Sequence, residues 1–150
     1  MPTSSGLSRL HPRVAEKAQL LVSQCRQMGV PILITSTLRT MEEQTALYAI
    51  GRTIPPLGKI VTNAKAGWSY HNYGLAFDIA VLDGTKVTYA PKVDVNRDNV
   101  WDYINVGHVG QNIGLEWGGA WHSFVDVPHF QLSFGLSIHD LLNGTRPPTS

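Results

Sequence analysis

A charged residue stands in the middle of an apolar strand, and it limits what this chain can fold into more than any other feature. The run Leu75-Ala-Phe-Asp-Ile-Ala-Val-Leu82 reads as a central strand, with Asp78 inside it. A carboxylate there is costly to bury unless it is paired or bound to a metal. Arg39 or a lysine would satisfy it in the first way. A cation with further protein ligands would satisfy it in the second.

Two histidines make the second way concrete. His71 precedes Asn72-Tyr73-Gly74, where a glycine lets the chain bend sharply toward the strand. His129 follows Pro128, which holds Val127 extended and stiffens the approach. Taken alone, the His71–Asp78 spacing is common by chance, and a histidine at a strand start is more often structural than a ligand. Together the three residues make two imidazoles and a carboxylate, the protein share of a catalytic zinc site whose fourth position stays open to water.

Asp126, three residues before His129, could act as a general base beside such a site. The segment needs a kink for both residues to share a face, and Pro128 can supply it. Asp126 could equally be a turn aspartate, and Glu116 is its rival for the base. Arg39 falls between a strand and a helix, a junction that can hold a side chain over a cleft. There it would stabilise developing negative charge or bind a substrate carboxylate; the alternative is an ordinary surface arginine. Trp117 and Trp121 could wall a groove or fill a core. His11, His108, His122 and His139 have no ligand-like spacing, though His122 falls beside the proposed site.

The rest of the chain reads as scaffold. Val14, Ala18, Leu21, Val22, Cys25 and Met28 make one apolar helical face between Pro12 and Gly29, with Cys25 a packed thiol on it. Residues 31–37 read as a buried strand. Thr40 and Glu43 form a capping box for a second helix, which carries Gln44, Leu47 and Tyr48 and stops at Gly51. A long loop over 51–70 follows, and a loop of that length is usually functional or mobile. Asp83-Gly84 marks a turn, with residues 86–89 returning as a hairpin. Residues 91–99 are polar and loop-like. A third helix is expected over 100–113 with Trp101, Ile104 and Ile113 inward, then an aromatic, glycine-rich loop over 116–121. A strand over 129–134 and a short helix over 137–142 close the chain. One domain over 10–144 is expected, with a flexible N-terminus over 1–9, a flexible tail over 145–150 and no internal repeat.

Composition narrows the partners. A net charge of +1 gives no electrostatic case for nucleic acid or an anionic membrane. No apolar run is long enough for a transmembrane segment, and the first residues lack a signal-peptide pattern. A monomer that begins in the cytoplasm is the expectation. One cysteine excludes an intramolecular disulfide.

Ser69-Tyr-His-Asn-Tyr-Gly-Leu-Ala-Phe-Asp78 and Trp121-His-Ser-Phe-Val-Asp-Val-Pro-His-Phe130 together resemble the M15, or LAS-type, zinc peptidases. Ser36-Thr-Leu-Arg-Thr40, Glu43-Gln44, Leu47-Tyr48, Gly51-Arg-Thr53 and Val61-Thr-Asn-Ala-Lys-Ala-Gly67 fit the same group, over about residues 10–144. The likeness is greatest to the bacterial and bacteriophage L-alanyl-D-glutamate endopeptidases. It implies a small α+β fold of the hedgehog/DD-peptidase type, with an antiparallel sheet, flanking helices and one zinc in a cleft. His71, Asp78 and His129 match the ligands, Asp126 the catalytic carboxylate (often Glu in relatives) and Arg39 the transition-state or substrate-binding arginine. Ser69 and Gln44 match cleft-lining positions, and Trp117, Trp121 and His122 join them as candidate substrate contacts. The implied reaction is hydrolysis of the L-Ala–D-Glu bond of peptidoglycan stem peptides. Without an export signal or a separate wall-binding domain, a phage or prophage endolysin released by a holin is implied. D-Ala–D-Ala carboxypeptidase or dipeptidase activity, and a non-catalytic zinc-bound wall-binding module, are the alternatives.

Overall fold

The computed structural model describes residues 6–149. Helix α1, Pro12–Met28, starts on a proline at its first turn and ends at Gly29 in the left-handed conformation. Its inner face is Val14, Ala18, Leu21 and Cys25, all fully buried. Strand β1, Ile32–Ser36, follows, then helix α2, Met41–Ala49, opened by the expected Thr40–Glu43 capping box. A 3-10 turn over Tyr70–Tyr73 leads into β2, Ala76–Asp83, and β3, Lys86–Thr88, returns as its hairpin partner. Helix α3 is Asp102–Asn112, β4 is Glu116–Trp117, β5 is His129–Gln131 and helix α4 is Ile138–Leu142.

The strands form one five-stranded sheet, antiparallel throughout, in the order β1-β2-β5-β4, with β3 also on β2. Its pleat separates two tasks. Phe77, Ile79 and Val81 share a face with their partners Phe130, Ile34 and Ile32, and this face joins the core with α1 and α3. The rings of Phe77 and Phe130 stack at 5.7 Å. On the opposite face Asp78 stands across from Ser36 on one side and His129 on the other. Burial on one face therefore fixes the register that aligns polar residues on the other.

Three expectations are corrected. Trp101 lies outside α3, 46% exposed, because the chain enters the helix by burying Asp102 instead. The aromatic loop after α3 begins as strand β4, since Glu116 and Trp117 pair with Gln131 and Phe130. Strand β5 ends at Gln131, short of 134, where Phe134 takes a positive φ of 56°. The described parts of both ends make contacts with the body of the fold. Leu7 and Leu10 are buried in the core, Arg146 donates to the Leu141 carbonyl at 2.7 Å and lies over the Tyr73 ring, and His11 Nε2 meets the Pro148 carbonyl. Residues 1–5 and 150 lie outside the described residues. Cys25 is buried as expected, and desolvation pushes its thiol up to about 12.

Helix α3 sits unusually close to the sheet. A Cβ on Gly107 would lie 2.2 Å from the Trp117 indole, and one on Gly110 would lie 2.4 Å from the Phe130 ring. On a free helix Gly→Ala gains about 1 kcal/mol. Here overpacking reverses the sign, so Gly107→Ala is expected to cost about 1–3 kcal/mol in urea unfolding. A stabilised G107A protein would show that α3 does not rest on Trp117.

Candidate metal centre and cleft

Local chemistry places His71. Ser69 Oγ accepts from the His71 amide at 3.2 Å, and Ser69 and Asn72 form a reciprocal capping box across the turn. Gly74, at φ 70°, turns the chain into β2, and a Cβ there would sit 3.0 Å from the Arg9 carbonyl. Asp78 comes from mid-strand, and His129 from the β5 residue paired with it.

The three converge. His71 Nε2 stands 3.3 Å from Asp78 Oδ2 and His129 Nδ1 stands 3.2 Å from Asp78 Oδ1. One candidate ligand atom from each lies within 4.8 Å of the others. Both imidazoles are buried, and each commits its other nitrogen to the scaffold. His71 Nδ1 donates to the Thr37 carbonyl at 2.8 Å, and His129 Nε2 donates to Gln131 Oε1 at 2.8 Å. Gln131 is oriented in turn by donating from Nε2 to Glu116 Oε1 at 3.2 Å. A neutral imidazole tethered this way offers a cation the lone pair of His71 Nε2 or His129 Nδ1; when those nitrogens carry a proton instead, they donate to Asp78. Burial opposes the charge on Asp78, but hydrogen bonds from His129 and His71 and their positive character prevail, holding its carboxyl well below the usual range. The donor set fits a divalent metal of zinc type: two oriented imidazoles, one carboxylate and an open side.

That open side is a cleft of about 710 Å³, lined by Arg39, Ser69, Asp126 and Trp121 among others, with Val61, Trp68, Phe124 and Val125 as its apolar rim. Asp126 Oδ2 is 3.9 Å from His129 Nδ1. A tight turn holds it there, with the Asp126 amide donating to the Gly118 carbonyl and the His129 amide to the Asp126 carbonyl, each at 3.1 Å. Gly118 allows the approach, since a Cβ would fall 2.3 Å from the Asp126 carbonyl oxygen. Burial, then the negative charge of Asp78, raise the Asp126 carboxyl, against the opposing pull of His129, His71 and Arg39. Burial also works to lower His129, but its bond to Asp78 and the charge there leave it raised.

Arg39 reaches the cleft from the β1–α2 junction, its amide donating to the His71 carbonyl at 3.0 Å and Nη1 to Gln44 Oε1 at 3.0 Å. Several expected contacts fall elsewhere. Gln44 is 0% exposed, bonded to Arg39 and to the Ala64 carbonyl at 2.7 Å, and lies outside the cleft lining. Trp117 is buried, its indole donating to the Val127 carbonyl at 2.7 Å; it supports the Asp126 turn from behind. His122 is exposed outside the cleft lining. Glu116 is removed as a base because Gln131, Ser133 N and Ser133 Oγ occupy its oxygens. Trp121 does line the cleft, its ring 5.2 Å from that of His129. Sequence reasoning missed Gln131 and the exposed Phe124. Gln131 was available through strand alternation, since residues two apart share a face.

An open cleft over an oriented His, Asp, His cluster on an antiparallel sheet is the arrangement a metal-dependent hydrolase needs. Residues 62–132 match the family described as D-alanyl-D-alanine carboxypeptidase. The chain is 39% identical over 127 residues to the peptidoglycan L-alanyl-D-glutamate endopeptidase CwlK of Bacillus subtilis (strain 168), covering 83% of this chain and 74% of that protein. It therefore belongs to the M15 peptidase family. It is also 28% identical over 131 residues to the L-alanyl-D-glutamate peptidase of Listeria phage A118, covering 87% of this chain but only 40% of that protein. Its fold matches the vancomycin-resistance D,D-pentapeptidase VanY in complex with Zn(II), with a TM-score of 0.59, 19% identity and coverage of 89% of this chain and 84% of that one.

Proposed function

We propose that this chain is a zinc endopeptidase that hydrolyses the L-Ala–D-Glu bond of peptidoglycan stem peptides, with residues 10–144, extended by their packed flanks, as its catalytic domain. The observation that carries this reading is Asp126, held beside the cluster on its open side and facing the cleft. The curated relatives' names supply the bond.

His71 Nε2, Asp78 and His129 Nδ1 would hold the zinc. Bound there, the metal supplies Lewis acidity and makes water acidic enough to lose a proton near neutral pH. Asp126 Oδ2 takes the proton as the water oxygen attacks the L-Ala carbonyl carbon. The same oxygen returns it to the D-Glu nitrogen as the C–N bond breaks, leaving a carboxylate and a free amine. Arg39, steadied by Gln44, places positive charge in the cleft for the oxyanion or for a substrate carboxylate. Trp121, Phe124 and Val125 give the cleft an apolar wall for the substrate to lie against.

Digestion of purified stem peptides with mass analysis tests the bond. A new N-terminal D-Glu is the expected product. Released D-Ala would assign the chain to D-Ala–D-Ala hydrolysis, the reading that the family description favours. Zinc uptake without any cleavage would leave a wall-binding module.

Glu116 acts at a distance in this scheme. Removing its carboxylate frees Gln131 to rotate and loosens His129. Glu116→Ala is therefore expected to weaken zinc binding by about 10–100-fold in a chelator competition. Unchanged affinity would show that β5 alone fixes the imidazole.

The phage relative supports a phage or prophage endolysin; we propose in addition that the chain acts as a monomer and waits in the host cytoplasm until a holin opens the membrane. Among the described residues no helix is long and apolar enough to cross a membrane. Lysis of expressing cells only on co-expression of a holin is the expected result; lysis by this chain alone would sink the holin dependence.

A further inference from the structure

The loop leading into α3 carries a second set of ligand-type oxygens, away from the cleft. It runs Asp94-Val-Asn-Arg-Asp-Asn-Val-Trp-Asp102, with Asn105 one turn into the helix. Counting from Asp94, side-chain oxygens fall at the first, third, fifth, ninth and twelfth places, and the seventh, Val100, offers a carbonyl. Calcium loops that open onto a helix draw oxygen ligands from these same places. An acidic loop with this spacing is not a site by itself.

Two buried oxygens take it further. Asp102 is 0% exposed. Its Oδ2 accepts from the Val95 amide at 2.8 Å, which turns the carboxylate into the loop, yet its Oδ1 has no hydrogen-bond partner. Asn96 Oδ1 is likewise buried without a partner, while its Nδ2 donates to the Met28 carbonyl at 3.1 Å. An oxygen buried in this way costs free energy unless a donor or a cation reaches it. Burial raises the Asp102 carboxyl, and Asp94, Asp98 and Asp83 add negative charge around it.

The remaining groups are hydrogen-bonded within the loop, where Asp98 Oδ2 accepts from Asn105 Nδ2 at 2.6 Å and from Asn96 Nδ2 at 3.5 Å, bonds that an ion would replace. Asp94 accepts the amides of Asp98 and Asn99 at 3.2 and 3.0 Å, and Asp98 Oδ1 accepts that of Val100 at 2.8 Å. Asn99 takes φ 66° at the sixth place, where such loops turn sharply on a glycine.

We propose that residues 94–105 form a calcium-binding loop in which Asp94, Asn96, Asp98, the Val100 carbonyl and Asp102 supply the oxygens. Calcium accepts mixed carboxylate and carbonyl ligands in flexible geometry, whereas magnesium demands a tight octahedron and keeps its waters. Among the described residues only His71, Asp78 and His129 already bring three such ligand atoms within 4.8 Å. The loop therefore closes as the ion binds, with Asp94 and Asp98 swinging toward the fixed Asp102. Asn105 stands where strong sites place a bidentate glutamate, so the dissociation constant falls at about 10⁻⁴–10⁻³ M. The ion would brace α3, whose Gly107 and Gly110 rest on Trp117 and Phe130.

The test uses the full zinc-loaded chain, melted in about 10 mM calcium chloride and in magnesium chloride of equal ionic strength. Calcium is expected to raise Tm by about 3–10 °C and magnesium by clearly less. Equilibrium dialysis should find one calcium per chain. Asp98→Asn and Asp102→Asn should each abolish the calcium-specific rise, and D102N without calcium should be at least as stable as the parent because it removes a buried charge. No calcium-specific rise, or a rise kept by both variants, overturns the proposal. So does a D102N chain that is less stable by the same margin with and without calcium. If D102N fails to fold, D98N decides: its amide oxygen can still accept from Val100 N, and the bond it loses to Asn105 Nδ2 lowers Tm equally in calcium and in magnesium, leaving the calcium-specific rise as the readout.

Discussion

Asp126→Ala is expected to lower kcat on stem peptides by about 10²–10⁴-fold while zinc content and Tm stay near those of the parent. Its side chain is half-exposed and 3.9 Å from His129 Nδ1, beyond hydrogen-bond range, so it contributes little to the cluster's own geometry. The bonds that hold the turn run through the Asp126 backbone and survive truncation. What disappears is the only cleft carboxylate outside the ligand set among the described residues. Asp126→Asn keeps the shape and removes the proton acceptor, so it should be as inactive as Asp126→Ala. Parallel kinetics and zinc analysis on the three proteins decide the matter. If the asparagine variant works within about threefold of the parent, proton transfer by Asp126 is wrong.

Chelation should abolish hydrolysis, and zinc should restore it. The stability change should be large but short of unfolding. In the metal-free arrangement Asp78 already bonds both imidazoles, so no ligand is left as an unpaired buried charge. A metal present at about 1,000 times its dissociation constant adds about 4 kcal/mol, so chelation should lower Tm by about 8–16 °C in a chain of this size. Calorimetry with and without chelator measures this directly. Hydrolysis that persists in a zinc-free sample would remove the cluster from the mechanism.

Much of this was written in local sequence. The apolar face of α1, its proline start and glycine stop, and the Thr40–Glu43 capping box depend on neighbours within a turn or two. Asp78 was conspicuous because a charge inside an apolar strand has few stable solutions. His71 and His129 were legible as candidates through the bends beside them, with Asp78 they completed a ligand set, and the family resemblance added its weight to that set.

Side-chain roles set by distant partners were not legible. Gln44 looked like a cleft residue, yet the Ala64 carbonyl and Arg39 draw it fully inside. Glu116 looked like a base until β4 paired with β5 and brought Gln131 and Ser133 to its oxygens. Trp117 and Trp121 are close in sequence, but only Trp121 faces the cleft.

The sequence by itself determined most of the elements, the candidate ligands and the chemistry they permit, because propensity, capping and the cost of buried charge act over a few residues. Only the tertiary structure decided which nitrogen of each histidine faces Asp78, which carboxylate stands free beside the cluster and which tryptophan meets the cleft. Those outcomes follow from strand register and helix packing. Register is set by how the whole apolar face of the sheet fits the core, and no local spacing encodes it.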